Sequence, residues 1–295
     1  MAENHSEELK SQQHSSHRYS SHRCLAFINQ KGGVGKTTLA INCAAGYVQM
    51  GYRVLLVDLD PQAHLTTSLI DSSSVDSSQA ASLERISEFT IEAALRREKS
   101  IEECIFEVPE EGFSLVPSDI NLSAAENDLY QELGRELLLK DALAKLPKDR
   151  FDLIILDCPP SLGLLSLNAL VAADDVIVPV QAEYLALQGM VHLREVVSLV
   201  QQRLHPQLSC RVVVPTMVDL RTRLSREVID SLREIYSDEV TNTVIHSRVK
   251  VAEAPSFGMS IFNYDRKGPA AQEIANLCQE IVEKLGIEAP ALELG

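Results

Sequence analysis

The apolar positions of this chain fall into short, nearly unbroken runs set between longer stretches with helical spacing. Cys24-Leu-Ala-Phe-Ile-Asn29 and Arg53-Val-Leu-Leu-Val-Asp58 show almost no polar alternation, as expected of strands buried on both faces. Residues 113–117, 152–157, 175–181 and 211–217 repeat this β-branched and leucine-rich texture. Helices are expected from about Thr37 to Met50, where Gly51 ends the pattern, and over about 187–204, 224–236 and 268–285. Strands alternating with helices predict an α/β fold: a mostly parallel, twisted sheet flanked by helices on both faces. No internal repeat interrupts this order.

The periphery reads differently. Residues 1–22 are rich in serine and hold four of the eight histidines, His5, His14, His17 and His22. Such a segment has too little apolar surface to offset its ordering entropy and is expected to be a disordered tail. It has no apolar stretch resembling a secretion signal. Residues 71–80 are serine-rich and expected to form a surface loop. The folded domain is therefore expected at 23–286, followed by a short acidic tail at 287–295.

Composition narrows the function classes. Of 295 residues, 45% are hydrophobic and 23% charged, enough to build an ordinary core. The net charge of -15 excludes a uniformly basic nucleic-acid binder. The charge is uneven, however: residues 68–130 carry 14 acidic and 4 basic side chains, whereas 203–267 carry 8 and 10. The second segment keeps a local positive face available. No apolar run reaches the ~18 residues of a membrane span. Cys24, Cys43, Cys104, Cys158, Cys210 and Cys278 are scattered with no CxxC pair. That spacing argues against a disulfide framework, a zinc site or an iron–sulfur cluster, and suits a reducing cytoplasm.

The candidate chemistry begins at Gln30-Lys-Gly-Gly-Val-Gly-Lys-Thr-Thr38, between a strand and a helix. Glycines let the backbone curl so that several N–H groups point inward, and the helix start adds partial positive charge. Lys36 is placed to reach β- and γ-phosphates, and the Thr37 hydroxyl to bind Mg²⁺. Asp58, Asp60 and Asp157 follow expected strands, where the carboxyl ends of parallel strands face a ligand crevice. Pro159-Pro160 stiffens the loop after Asp157.

The position six residues before Lys36, usually glycine in a phosphate loop, is Gln30 here, and Lys31 stands next to it. In this it resembles the deviant Walker A motif, KGGxGKT, of the ParA/MinD branch of P-loop ATPases. Asp58-Leu-Asp-Pro-Gln62 resembles the switch I of that family, and Asp157-Cys-Pro-Pro-Ser-Leu-Gly163 its Walker B and switch II. Pro179-Val-Gln-Ala-Glu-Tyr184, Thr216-Met-Val-Asp-Leu-Arg-Thr222 and Glu253-Ala-Pro-Ser-Phe-Gly258 are similar to chromosome-type ParA/Soj partition ATPases, so the likeness spans about 23–285.

The resemblance implies a Mg²⁺-dependent ATPase. ATP would be bound by Lys31, Gly32, Gly33, Val34, Gly35, Lys36, Thr37 and Thr38. Lys31 would reach across a dimer interface to the partner's nucleotide, joining Lys36 and Asp60 in catalysis. Thr37, Asp58 and Asp157 would hold the metal. The family's base-contacting Pro-Arg-Asn step is replaced here by His246-Ser247-Arg248, so His246 and Arg248 are carried as base contacts.

The resemblance also implies partners. An ATP-bound homodimer would hold DNA without sequence preference through Arg221, Arg223 and Lys250, and a ParB-like protein or cargo adaptor would trigger hydrolysis and release. Location on the nucleoid follows. A MinD-like positioning ATPase is the alternative, but the acidic, proline-containing end would be repelled by anionic lipid. A small-molecule-modifying P-loop enzyme is a further alternative.

Overall fold

Successive residues of each strand feed two different cores. Cys24, Ala26 and Ile28 pack on one face of the sheet, and Leu25 and Phe27 on the other. Ile154 and Leu156 divide from Leu153 and Ile155 in the same way. Both sets are buried, so the runs without polar alternation are interior strands of a sheet covered on both sides.

The computed structural model describes residues 22–70, 86–183 and 186–290. The expected N-terminal tail, apart from His22, lies outside the described residues, as do the 71–80 segment and residues 291–295.

The strands are β1 (Arg23–Phe27), β2 (Val54–Asp58), β3 (Phe106–Val108), β4 (Phe113–Val116), β5 (Leu153–Asp157), β6 (Asp175–Gln181) and β7 (Ser209–Thr216). They form one sheet in the order β3-β4-β2-β5-β1-β6-β7. Every pairing is parallel except β3 with β4. The central β1 and β5 are neighbours, and the chain leaves β1 toward β2 on one side and reaches β6 on the other. That reversal of winding opens a crevice at the carboxyl ends of the strands.

Helix α1 (Lys36–Gln49) and the C-terminal helix (Pro269–Leu285) cover one face, with Leu39, Tyr47, Ile274 and Leu277 at most 1% exposed. The helices Asn121–Leu129, Leu138–Leu143, Leu164–Ala172 and Ala186–Arg203 cover the other, through Leu122, Leu139, Leu170 and Leu193. Gly51, with φ +91°, ends α1 in the left-handed conformation that a glycine supplies without strain. Among the described residues no helix is long and apolar enough to cross a membrane.

Candidate functional site

Strand β1 stops at Phe27, and the chain curls through residues 28–35 before α1 begins at Lys36. Gly33 and Gly35 take φ of +73° and +88°, a region a side chain would strain. Gly35 is the N-cap of α1, and no side chain caps the first turn. The initial N–H groups of the 14-residue helix are thus turned toward the loop, as an anion site requires.

Two side chains from neighbouring elements pin this loop. Asn29 donates to the Pro179 carbonyl at 2.7 Å and accepts from the Lys31 N–H at 3.0 Å. The buried Thr216 hydroxyl donates to the Val34 carbonyl at 2.8 Å. Neither long-range contact stands out in a linear reading, because Pro179 lies 150 residues from Asn29 and Val34 182 residues from Thr216.

The sheet register sets the carboxylates. Phe27, Asp157 and Asp58 are aligned across β1, β5 and β2, so two aspartates sit side by side beneath the loop. Both are fully buried. Asp58 is engaged by its own surroundings: it accepts from the Thr66 N–H at 3.0 Å, the Thr66 hydroxyl at 2.7 Å and the Asp60 N–H at 3.0 Å. Burial nevertheless raises its pKa to about 6, outweighing those hydrogen bonds. Asp60 accepts from the Gln62 N–H at 2.9 Å through one oxygen. Its other oxygen has no hydrogen-bond partner among the described residues.

Asp157 is different. Neither carboxylate oxygen has a hydrogen-bond partner among the described residues. Burial raises its pKa well above the usual range and the Asp58 charge adds to this, while Thr37 and Lys36 pull the other way. A buried carboxylate left so is costly, and a cation or its bound water would relieve it. Lys36 is 7% exposed and donates to the Lys31 carbonyl at 3.4 Å. Burial lowers its pKa against the opposing attraction of Asp157 and Asp60. Two of the three carboxylates, Asp157 and Asp60, thus bear on one ammonium. No group of three or more His, Cys, Asp or Glu among the described residues is gathered as a protein-only metal centre. The arrangement suits a hydrated Mg²⁺ bound by a carboxylate or two together with a phosphate.

The other expected site residues cluster beyond β7. The Val218 N–H bonds the Ile245 carbonyl at 3.0 Å, joining the loop after β7 to the 245–248 segment. Between them lies a cavity of about 430 Å³ lined by Asp219, Leu220, Arg221, His246 and Arg248 among others. The sequence points Arg221 toward DNA and His246 and Arg248 toward a nucleotide base; in the fold all three border one space.

Each of these side chains already has a carboxylate partner. His246 and Arg248 converge on Glu273, His246 at 3.1 Å. Burial pushes the Glu273 carboxyl up, but Arg248 and His246 outweigh it and its pKa falls below the usual value. Arg221, 91% exposed in its side chain, pairs with Asp219 at 2.8 Å. Hydrogen bonding from Arg221 holds the Asp219 carboxyl at about 2. Arg223 pairs with Glu227 at 2.6 Å and Lys250 with Asp265 at 2.9 Å. Lys31, the signature lysine, pairs with Glu183 at 2.5 Å. Arg221–Asp219 and Arg223–Glu227 are local pairings, two and four residues apart, whereas spacing along the chain carries no signal for Lys31–Glu183, 152 residues apart, although Glu183 belongs to the Pro179–Tyr184 stretch.

Comparison with known proteins agrees with this geometry. An AAA domain family matches residues 22–210. The chromosome-partitioning ATPase Soj of Treponema pallidum is 40% identical over 264 residues, covering 90% of this chain and 98% of that protein. The sporulation initiation inhibitor protein Soj of Bacillus subtilis is 39% identical over 260 residues, covering 88% and 98%. Among solved structures, a cobyrinic acid a,c-diamide synthase from Mycobacterium smegmatis with bound ADP and magnesium superposes with a TM-score of 0.73. It is 36% identical, covering 92% of this chain and 99% of that one.

Proposed function

The chain belongs to the Soj/ParA family of chromosome-partitioning ATPases, and from that footing we propose that its ATP-bound form is a dimer that holds DNA and lets go on hydrolysis. It is an ATPase that works with ATP and Mg²⁺. The single observation carrying the local assignment is the buried Lys36 ammonium drawn by Asp157 and Asp60 at the mouth of a loop with uncapped N–H groups.

In this reading the N–H groups around Gly33–Thr38 and the Lys36 ammonium bind and orient the triphosphate. Lys36 leaves the Lys31 carbonyl to do so, exchanging a long contact for a charge-assisted one. Thr37 and Asp157 hold Mg²⁺, and the two bare oxygens of Asp157 fit that role. Magnesium supplies neutralisation of the phosphate charge that builds up during transfer. Asp58 serves the metal shell at most through water, since its oxygens also fix Thr66 and Asp60. Asp60, with one oxygen free of hydrogen bonds among the described residues, orients the attacking water. Lys31 extends to the partner's triphosphate and stabilises charge there.

The base and the DNA share neighbouring ground. His246 and Arg248, braced by Glu273, border the cavity that suits the base. Arg221, Arg223 and Lys250 are exposed and reach phosphates only by exchanging their carboxylates. Exposed pairs of this kind are weak and screened by solvent, so a phosphate competes well. One subunit offers few such cations and a dimer doubles them, which makes DNA retention a readout of the bound nucleotide. A ParB-like protein or cargo adaptor would stimulate hydrolysis. The cytoplasm and the nucleoid are the corresponding location.

A second reading comes from the name of the Mycobacterium smegmatis structure, a diamide synthase. All six cysteines of this chain are buried, and burial raises the pKa of Cys24, Cys158 and Cys278. They suit packing and not attack on a glutamine amide. Turnover assays separate the two: hydrolysis stimulated by DNA and a ParB-like protein supports partition. Hydrolysis coupled to amidation of a small carboxylic acid alone supports synthesis.

A further inference from the structure

Lys31 does not project freely from the loop. Its ammonium donates to Glu183 Oε2 at 2.5 Å within the same chain. Both ends of this pair are mounted on the end of β6. Glu183 is steadied by the Gln181 carboxamide, which donates to Oε1 at 2.5 Å. The backbone of Lys31 is steadied by Asn29, whose own amide donates to the buried Pro179 carbonyl. The pair is therefore preformed.

The exposure of the pair makes it reversible. The side chains of Lys31 and Glu183 are 37% and 49% exposed, so the contact is a screened surface pair that water and phosphate can replace. A deeply buried pair would hold the ammonium too firmly to give up. Lys31 also communicates with the nucleotide loop, because its carbonyl accepts the Lys36 ammonium. A triphosphate that draws Lys36 away removes that tie as well.

We propose that Glu183 is a positioning residue that keeps the Lys31 ammonium docked in its own subunit until two triphosphate-loaded chains meet. Dimerisation then breaks this pair twice, once per subunit, as each ammonium moves to the partner's nucleotide. Glu183 thereby restrains premature association. This inference rests on the reading that Lys31 acts across a dimer.

The test measures dimer dissociation constants by sedimentation, using the full chain with Mg²⁺ and a non-hydrolysable ATP analogue. Wild type, Glu183→Gln, Lys31→Ala and the double variant are compared. Glu183→Gln keeps the shape and the Gln181 neighbour but removes the charge. It should dimerise more tightly, by roughly two- to thirtyfold, because two exposed pairs no longer have to be broken. In a Lys31→Ala background the same change should shift the constant by less than about twofold. Glu183→Asp, which restores the charge, should return the constant toward wild type. Equal or weaker dimerisation of Glu183→Gln, in a wild type that does dimerise, overturns this inference alone. So does an effect that survives Lys31→Ala, since that is structural. A wild type that stays single at saturating analogue overturns both this inference and the dimer reading.

Discussion

The Thr216 hydroxyl donates to the Val34 carbonyl at 2.8 Å, so the last residue of β7 closes the phosphate loop from the side. The backbone then turns sharply, with Met217 at φ +52°, into the cavity bordered by Arg221 and His246. One side chain thus links the loop proposed to grip phosphate to the segment proposed for base and DNA. Thr216→Val leaves the Val34 carbonyl buried without its partner. It should lower stability by about 1–3 kcal/mol and weaken nucleotide binding, whereas Thr216→Ser should retain both. Urea unfolding and nucleotide titration of the two variants check this.

Lys36→Ala removes the ammonium that Asp157 and Asp60 attract. Its hydrogen bonds to two phosphate groups disappear, each a charge-assisted bond of about 1.5–3 kcal/mol. Nucleotide affinity should fall at least about a hundredfold. Asp60→Ala leaves the loop and Lys36 intact, so it should bind ATP normally, hydrolyse it poorly and accumulate as dimer. Fluorescent-nucleotide binding and phosphate release measured on both variants separate these outcomes.

Burial gives Asp58 a native pKa of about 6, against an ordinary carboxyl value near 3.8. Between those values the native state holds a proton that the unfolded chain releases. Its contribution to stability is therefore complete below about pH 4 and lost as pH rises through about 6. The full effect is on the order of 3 kcal/mol. In nucleotide-free protein, wild type should gain stability relative to Asp58→Asn as pH falls from 7.5 to 4.5. Parallel pH–stability curves would remove this account of Asp58.

Asp219 occupies the guanidinium of Arg221. Arg221→Ala should reduce DNA retention and lower the salt dependence of binding, by about 0.9 in the log–log slope for each phosphate no longer neutralised. Asp219→Asn should do the reverse and strengthen binding at a given salt, because Arg221 no longer exchanges partners. A filter-binding salt titration with a duplex of arbitrary sequence, run with the ATP analogue, distinguishes the two.

The sequence carried the architecture because its signals are local. Unbroken runs such as Leu153–Asp157 mark strands buried on both sides, and Gly33 and Gly35 mark a loop with positive φ. The edge strand Phe106–Val108 leaves no such mark, being three residues long with only Val108 buried. Asp58, Asp60 and Asp157 were legible as strand-end carboxylates. That Asp58 is fully hydrogen-bonded while Asp157 is bare was not, since Thr66 and the sheet register decide it. For the same reason Arg248 reads along the chain only as a base contact, yet folding brings it to Glu273, 25 residues away. Pairings across such distances leave no periodicity to detect.

The central claim is that nucleotide state controls a dimer that adheres to DNA. Co-sedimentation of the full chain with a labelled duplex of arbitrary sequence, in Mg²⁺ with either the ATP analogue or ADP, tests it most directly. The account predicts two-chain species on the duplex with the analogue and free single chains with ADP. Equal DNA binding in both nucleotides, or single chains throughout, would contradict it.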